Sequence, residues 1–373
     1  MTRQQGDLDA FRCSIEIEHL SSDLMFLRRL FQGLADDAKK SGIAAMCSMS
    51  FICLIAHEVG NYLKKHPTAS LPKVEIPSAA AIAQSRHAVK LFDDNKRELT
   101  GVTGVYEDEI VPRHSRDFLR NTWLPWARLL ESDLGIFTYE NNVVGTTHSV
   151  TYGIGMSVKD TPIRQLFPAV RSVATELGVF VSSLTSGMSW PGPSFLSAIN
   201  LRSIKTKDVR ADRHYRELFD PSIDVGLTAA LESFQASLNF LDRILALDPE
   251  PASAAPITKL KFITLWHVHS SLNRVREVVT LASDANAYLD EALGTPSVDA
   301  PIIRSSAKGL RNTLVHYGLE SGVSTANLSL FNPMFGLIEA YHPGETFHSF
   351  RESVDRETLR VAEVMNRWST HYL

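Results

Sequence analysis

Arg311-Asn312-Thr313-Leu314-Val315-His316 places a guanidinium, an amide and an imidazole within six residues. An imidazole moves protons near neutral pH, and a guanidinium matches the charge and fork geometry of phosphate oxygens. RNA carries its own nucleophile, the 2′-hydroxyl. A protein acting on an RNA phosphodiester therefore needs only to move protons and stabilise charge on the phosphoryl group, and this trio is suited to both tasks.

A helix must hold these groups. The pattern expects one from Asp299, an N-cap residue followed by Pro301 in the first turn, to Tyr317, with Gly318 as a left-handed stop. At 100° per residue, Ile303, Ala307, Leu310, Leu314 and Tyr317 form the core stripe. Asn312 and His316, four apart, stack on the opposite face, with Arg311 on the flank and Val315 between Arg311 and His316. The polar groups are thus expected to point outward.

Leucine before the arginine, Arg-Asn, an aromatic after the histidine and a helix end at Gly318 together resemble the HEPN superfamily, whose ribonuclease members carry Arg-Asn-x-x-x-His on the third long helix of an up-and-down bundle. The resemblance covers about Pro221 to Leu373. It implies that Arg311 stabilises the phosphate, His316 transfers the proton and Asn312 positions or polarises a neighbour. It further implies metal-free RNA cleavage with no cofactor, homodimers with both motifs lining one cleft, and the role of a toxin or antiphage effector with an antitoxin or defence partner. Pairing two chains also answers a chemical need, since in-line attack profits from both a base and an acid while the motif supplies one histidine. Some family toxins carry a modified tyrosine two residues after the histidine; Gly318 stands there, with Tyr317 one earlier. The alternative is a non-catalytic HEPN-like binding or dimerisation module.

The remainder of the chain sets bounds. With 373 residues, two domains are the default. The expected division is a mostly helical N-terminal domain over 1–200 that carries a small β-hairpin, a basic connector over 201–220, and the bundle over 221–373. A net charge of −4 excludes a strongly basic nucleic-acid coat protein, and 44% hydrophobic against 21% charged residues reads as globular. No N-terminal signal pattern is present, and the apolar run Ile43 to Ala56 is too short to span a bilayer, so the expectation is a cytoplasmic protein with no membrane partner. Cys13, Cys47 and Cys53 show neither disulfide nor zinc spacing. His57-Glu58 opens like an H-E-x-x-H metal helix, but position 61 is Asn, so the second ligand is missing.

Leu20–Lys40 and Ile43–Lys65 read as consecutive helices, as do Ala79 to about Lys96, Asp117–Leu130 and Ile163–Leu184, while Gly135–Val158 turns to Thr, Val, Tyr and Gly with partial alternation, as in Thr146–Tyr152, and reads as a short hairpin. Four long patterns make the bundle: Leu227 to Leu245, Ile257 to Tyr288 with a break near Ser283, the motif helix, and Glu352 to Tyr372. Further substrate contacts are sought in the cations Arg202, Lys205, Lys207, Arg210, Arg213 and Arg216, outnumbering Asp208 and Asp212, in Tyr317, and in Tyr341, His342 and His348 of the long insert Leu319–Arg351. Each is also the kind of residue that a solvated segment or an ordinary loop carries.

Overall fold

The computed structural model describes residues 3–36, 38–66, 79–90, 92, 98–155, 163–188, 193–294 and 306–371. It is mostly helical with one small three-stranded sheet. Helices α1 (Arg3–Asp36), α2 (Ala38–Lys65) and α3 (Ala79–Val89) pack in succession, α2 lying against both neighbours. The apolar run that begins α2 makes it a central helix: Phe51, Ile52, Cys53, Leu54, Ile55, Ala56 and Val59 are all buried. Its stretch Ala44–Lys65 is long and apolar enough to cross a membrane by length and composition alone, a test that the core helix of a globular protein also passes. In this fold 61% of that stretch is buried against the rest of the protein.

A segment containing α4 (Glu98–Gly104), a π-helical stretch (Val105–Ile110) and α5 (Val111–Phe118) follows. The expected helix over Asp117–Leu130 does not form. The chain turns at Arg120 (φ 61°) and regains only a short 3-10 turn at Ala127–Leu130. Strands β1 (Leu134–Tyr139) and β2 (Asn142–Thr146) make an antiparallel hairpin, and Glu140 and Asn141 take positive φ (50° and 65°) in its two-residue loop, the geometry that matches strand twist.

The alternating stretch after β2 is a helix, α6 (Thr147–Ile154), rather than a strand. Thr146 and Ser149 form a capping box: each side-chain oxygen accepts from the other's backbone N–H, at 3.0 and 2.8 Å. Those local bonds satisfy two helix-end donors and outweigh a two-residue periodicity. Helix α7 (Ile163–Leu184) runs as expected.

Residues of the basic stretch 201–220 are built into the sheet. Strand β3 (Ile204–Val209) pairs with β1 in the order β2-β1-β3, and α8 (Ala211–Glu217) follows. Helices α9 (Val225–Arg243), α10 (Ala254–Val278) and α14 (Phe347–Ser369) pack on one another, with α11 (Ser283–Leu293) on α14 and α12 (Ala307–His316) against both α10 and α2. The short α13 (Leu337–Tyr341) lies against α12. Strand β2 packs on α9, so one buried apolar cluster runs from Ile15 to Trp368.

Candidate functional site

Helix α12 buries Ala307, Leu310 and Leu314, as the stripe requires; Ile303 lies outside the described residues. Val315, expected between Arg311 and His316 on the outer face, is also buried. Two sides of this short helix are covered because α2 and α10 both pack on it.

The helix does not stop at Gly318. Tyr317 is the left-handed residue (φ 65°), its N–H donating to the Thr313 carbonyl at 2.9 Å. A bulky residue adopts that conformation at a cost of order 1 kcal/mol, so tertiary contacts must hold it. They do. The Tyr317 hydroxyl donates to Asp23 Oδ2 at 2.8 Å, Lys259 binds the same carboxylate and sits 4.3 Å from the ring centroid, and His19 meets the ring edge-on at 4.9 Å. Beyond it, Leu319 N–H donates to Glu16 Oε1 at 2.9 Å, and Arg12 donates to the carbonyls of Leu319, Glu320 and Val323. The end of α12 is therefore clamped by α1. Tyr317, sought as a substrate contact, is a buried anchor instead.

This clamp fixes His316. Its Nδ1 lies 2.7 Å from Glu58 Oε2 of α2, and the second oxygen, Oε1, lies 2.5 Å from Arg86 Nε of α3. Glu58 is buried, its side chain 3% exposed, whereas the His316 side chain keeps 46% of its surface. Burial alone would raise the Glu58 carboxyl. The hydrogen bond from His316 and the Arg86 charge outweigh it and hold the group below the usual carboxylate range. Being ionised, Glu58 can only accept, so Nδ1 carries the hydrogen and Nε2 is the atom left for a ligand. An imidazole oriented through Nδ1 by a buried carboxylate is the arrangement that general bases use, the carboxylate holding the tautomer and stabilising the imidazolium that forms. Next to Glu58, His57 is lowered by burial and by Arg86, which keeps it neutral near pH 7.

Arg311 stands on the other side of the helix. It lies five positions before His316, about 140° around the axis. It is half-buried, and its guanidinium lies 5.8 Å from the Trp266 ring centroid on α10, within cation–π range. Asn312, half-buried, is one turn from His316 on the same face.

The remaining expected contacts fall elsewhere. Tyr341 is buried with its hydroxyl bonded to Thr313 Oγ1, which makes it a support for α12 rather than a groove residue. His342 is buried and meets Ser306 Oγ at 2.7 Å. His348 is exposed at the start of α14 and pairs with Glu352 at 3.1 Å. Arg202, Lys205, Lys207 and Arg210 lie exposed on or beside β3, and Arg213 and Arg216 of α8 pair with Glu217 and Asp212 one turn away.

Two residues that hold His316, Glu58 and Arg86, did not figure in the sequence reading as site residues. The signal was present as a lone carboxylate following a long apolar run on a helix, which implies a buried partner. Beside it, the likeness of His57-Glu58 to a metal helix fails at Asn61 and says nothing of that partner. Among the described residues no group of three or more His, Cys, Asp or Glu is placed to hold a metal ion. Comparison with protein-family models, curated proteins and solved structures found no match for this chain.

Proposed function

We propose that this chain is a metal-independent endoribonuclease in which His316 accepts the proton of the RNA 2′-hydroxyl. The observation that carries this reading is the Glu58–His316 dyad: a solvent-reachable imidazole whose Nδ1 is held by a buried, ionised carboxylate. In the mechanism, Nε2 takes the 2′-hydroxyl proton as that oxygen attacks the adjacent phosphorus, and Glu58 stabilises the resulting imidazolium. Arg311 faces away from His316 of its own chain, so it meets the charge developing on the phosphoryl oxygens only across a cleft shared by two protomers, while Asn312 orients a substrate or partner group on the His316 face. A second proton donor then serves the departing 5′-oxygen, and a second protomer's motif fills that role in a homodimer. Packing among α9, α10 and α14, with α12 on α10, supports the HEPN-like bundle as the frame of this site. As a self-contained RNA-cleaving unit the protein fits the role of a toxin or antiphage effector.

Cleavage of mixed RNA in the presence of EDTA tests the proposal. The wild type cuts, and His316→Ala loses at least about a hundredfold in rate, the usual worth of a positioned general base. Equal cutting by the two proteins removes His316 from the chemistry.

A second reading, a non-catalytic binding or dimerisation module, is favoured by the density of clamps around the same helix end, where Asp23, Lys259, Glu16 and Arg12 all act structurally. In that case Glu58–His316 is one more staple between α2 and α12. His316→Ala then lowers thermal stability while neither protein cuts RNA.

A further inference from the structure

The loop between α5 and β1 exposes large apolar side chains to an extent unusual for a protein surface. Trp123 is 83% exposed, Trp126 66%, and Leu129 and Leu130 79% each, with Phe118 beside them at 42%. Single exposed hydrophobics need no explanation, but five within thirteen residues form a patch of the kind that marks an interaction site.

The loop is braced rather than loose. The Glu131 carboxylate accepts from the backbone N–H groups of Arg120 and Thr122, Arg128 Nε donates to the Thr122 carbonyl at 3.1 Å, and Asn121 donates to the Asp117 carbonyl at 2.8 Å. Arg210, at the end of β3, donates to the carbonyls of Arg128 and Glu131 and so ties the loop to the sheet. The near end of that edge strand presents Lys207 beside the exposed Asp208, and the loop with its flank adds exposed Arg116, Arg120 and Arg128. Of the two acids in the loop, Glu131 is held by backbone donors and Asp133 is buried, accepting from the Ala211 N–H. The surface is therefore apolar at its tip and cationic around it.

We propose that this surface docks on an anionic lipid bilayer, the two tryptophans seating at the headgroup level, Leu129 and Leu130 entering the acyl region, and the cations meeting lipid phosphates. Charge complementarity selects a polyanionic partner, and it disfavours a second copy, which would set cation against cation. The leucine pair decides between polyanions. Single-stranded RNA offers faces for tryptophan stacking but no apolar interior for two adjacent aliphatic side chains, whereas a bilayer offers both. No membrane-spanning segment is involved, and the inference stands independently of the ribonuclease reading.

The test is co-sedimentation of the full chain with vesicles of phosphatidylcholine alone or of phosphatidylcholine with phosphatidylserine, together with tryptophan emission. The expected result is capture by the anionic vesicles with a blue-shifted emission, weakened by salt, and a loss of about tenfold or more in both Trp123→Ser/Trp126→Ser and Leu129→Ser/Leu130→Ser. All four side chains are exposed, so these variants keep the fold, which circular dichroism verifies. No capture by anionic vesicles, capture equal in the variants, or a patch whose substitution instead abolishes RNA binding or self-association overturns the proposal.

Discussion

His316 is the last residue of its helix, and the Glu58 carboxylate lies 2.7 Å from its Nδ1. That contact fixes the ring by one nitrogen and leaves the other toward solvent. Elsewhere in the molecule histidines meet the opposite treatment. His114 and His148 lie edge-to-face at 4.5 Å in the interior, bonded to Thr151 Oγ1 and the Tyr215 hydroxyl. Burial pushes His114 down to about 4 against an opposing pull from Asp117, and burial together with the neighbouring His114 and His214 drives His148 well below its ordinary value. A histidine depressed in the folded state binds its proton only after unfolding, so its stabilising contribution is present above about pH 6.5 and is lost as pH falls toward 4. For His114 that is about 3 kcal/mol across the window. Urea unfolding at pH 7 and pH 4.5 is expected to show the loss, reduced in His114→Gln. A wild type equally stable at both values would show that the pair titrates normally.

At the scale of elements, the site depends on how closely three helices approach. Arg86 reaches Glu58 because α3 is held against the end of α6. Gly155, the left-handed C-cap of α6 (φ 68°), leaves space where a Cβ would stand 2.2 Å from the Ser85 backbone nitrogen, and Ser85 Oγ donates to the Gly153 carbonyl. Alanine there meets both a disfavoured backbone conformation and an immovable neighbour. Gly155→Ala is expected to cost about 2 kcal/mol or more in urea unfolding, and a loss below about 0.5 kcal/mol would mean that α3 and α6 separate freely.

Some of these elements were readable locally and some were not. The stripe of α12, the hairpin region and the break in the second bundle helix follow from residue spacing alone. Gly318 is the natural stop by intrinsic preference, yet Asp23 and Lys259, more than fifty residues from the motif and from each other, hold Tyr317 in the left-handed position instead. The Thr146–Ser149 capping box was legible as T-x-x-S, but period-two alternation masked it. Glu58 and His316 are 258 residues apart, and no local pattern joins them. The sequence could show that each was unusual, not that they met.

For the molecule as a whole, the ribonuclease proposal makes one demand on assembly. The imidazole with its buried carboxylate supplies a base in each protomer, while protonation of the leaving oxygen calls for a second group. Light scattering at micromolar concentration is expected to give twice the mass of 41.4 kDa, and a persistent monomer would move the search for the acid to neighbours within the chain.

The central claim is that Glu58 orients His316 for chemistry and does more than fasten α2 to α12. The direct measurement is single-turnover cleavage of an RNA substrate by the wild type, His316→Ala and Glu58→Gln, each verified as folded at the assay temperature. Glu58→Gln keeps the shape of the contact but removes the charge and permits the wrong tautomer, so its cleavage rate is predicted to fall by about a hundredfold to ten-thousandfold, approaching that of His316→Ala, with substrate affinity nearly unchanged. A folded Glu58→Gln that cuts at the wild-type rate would contradict the account.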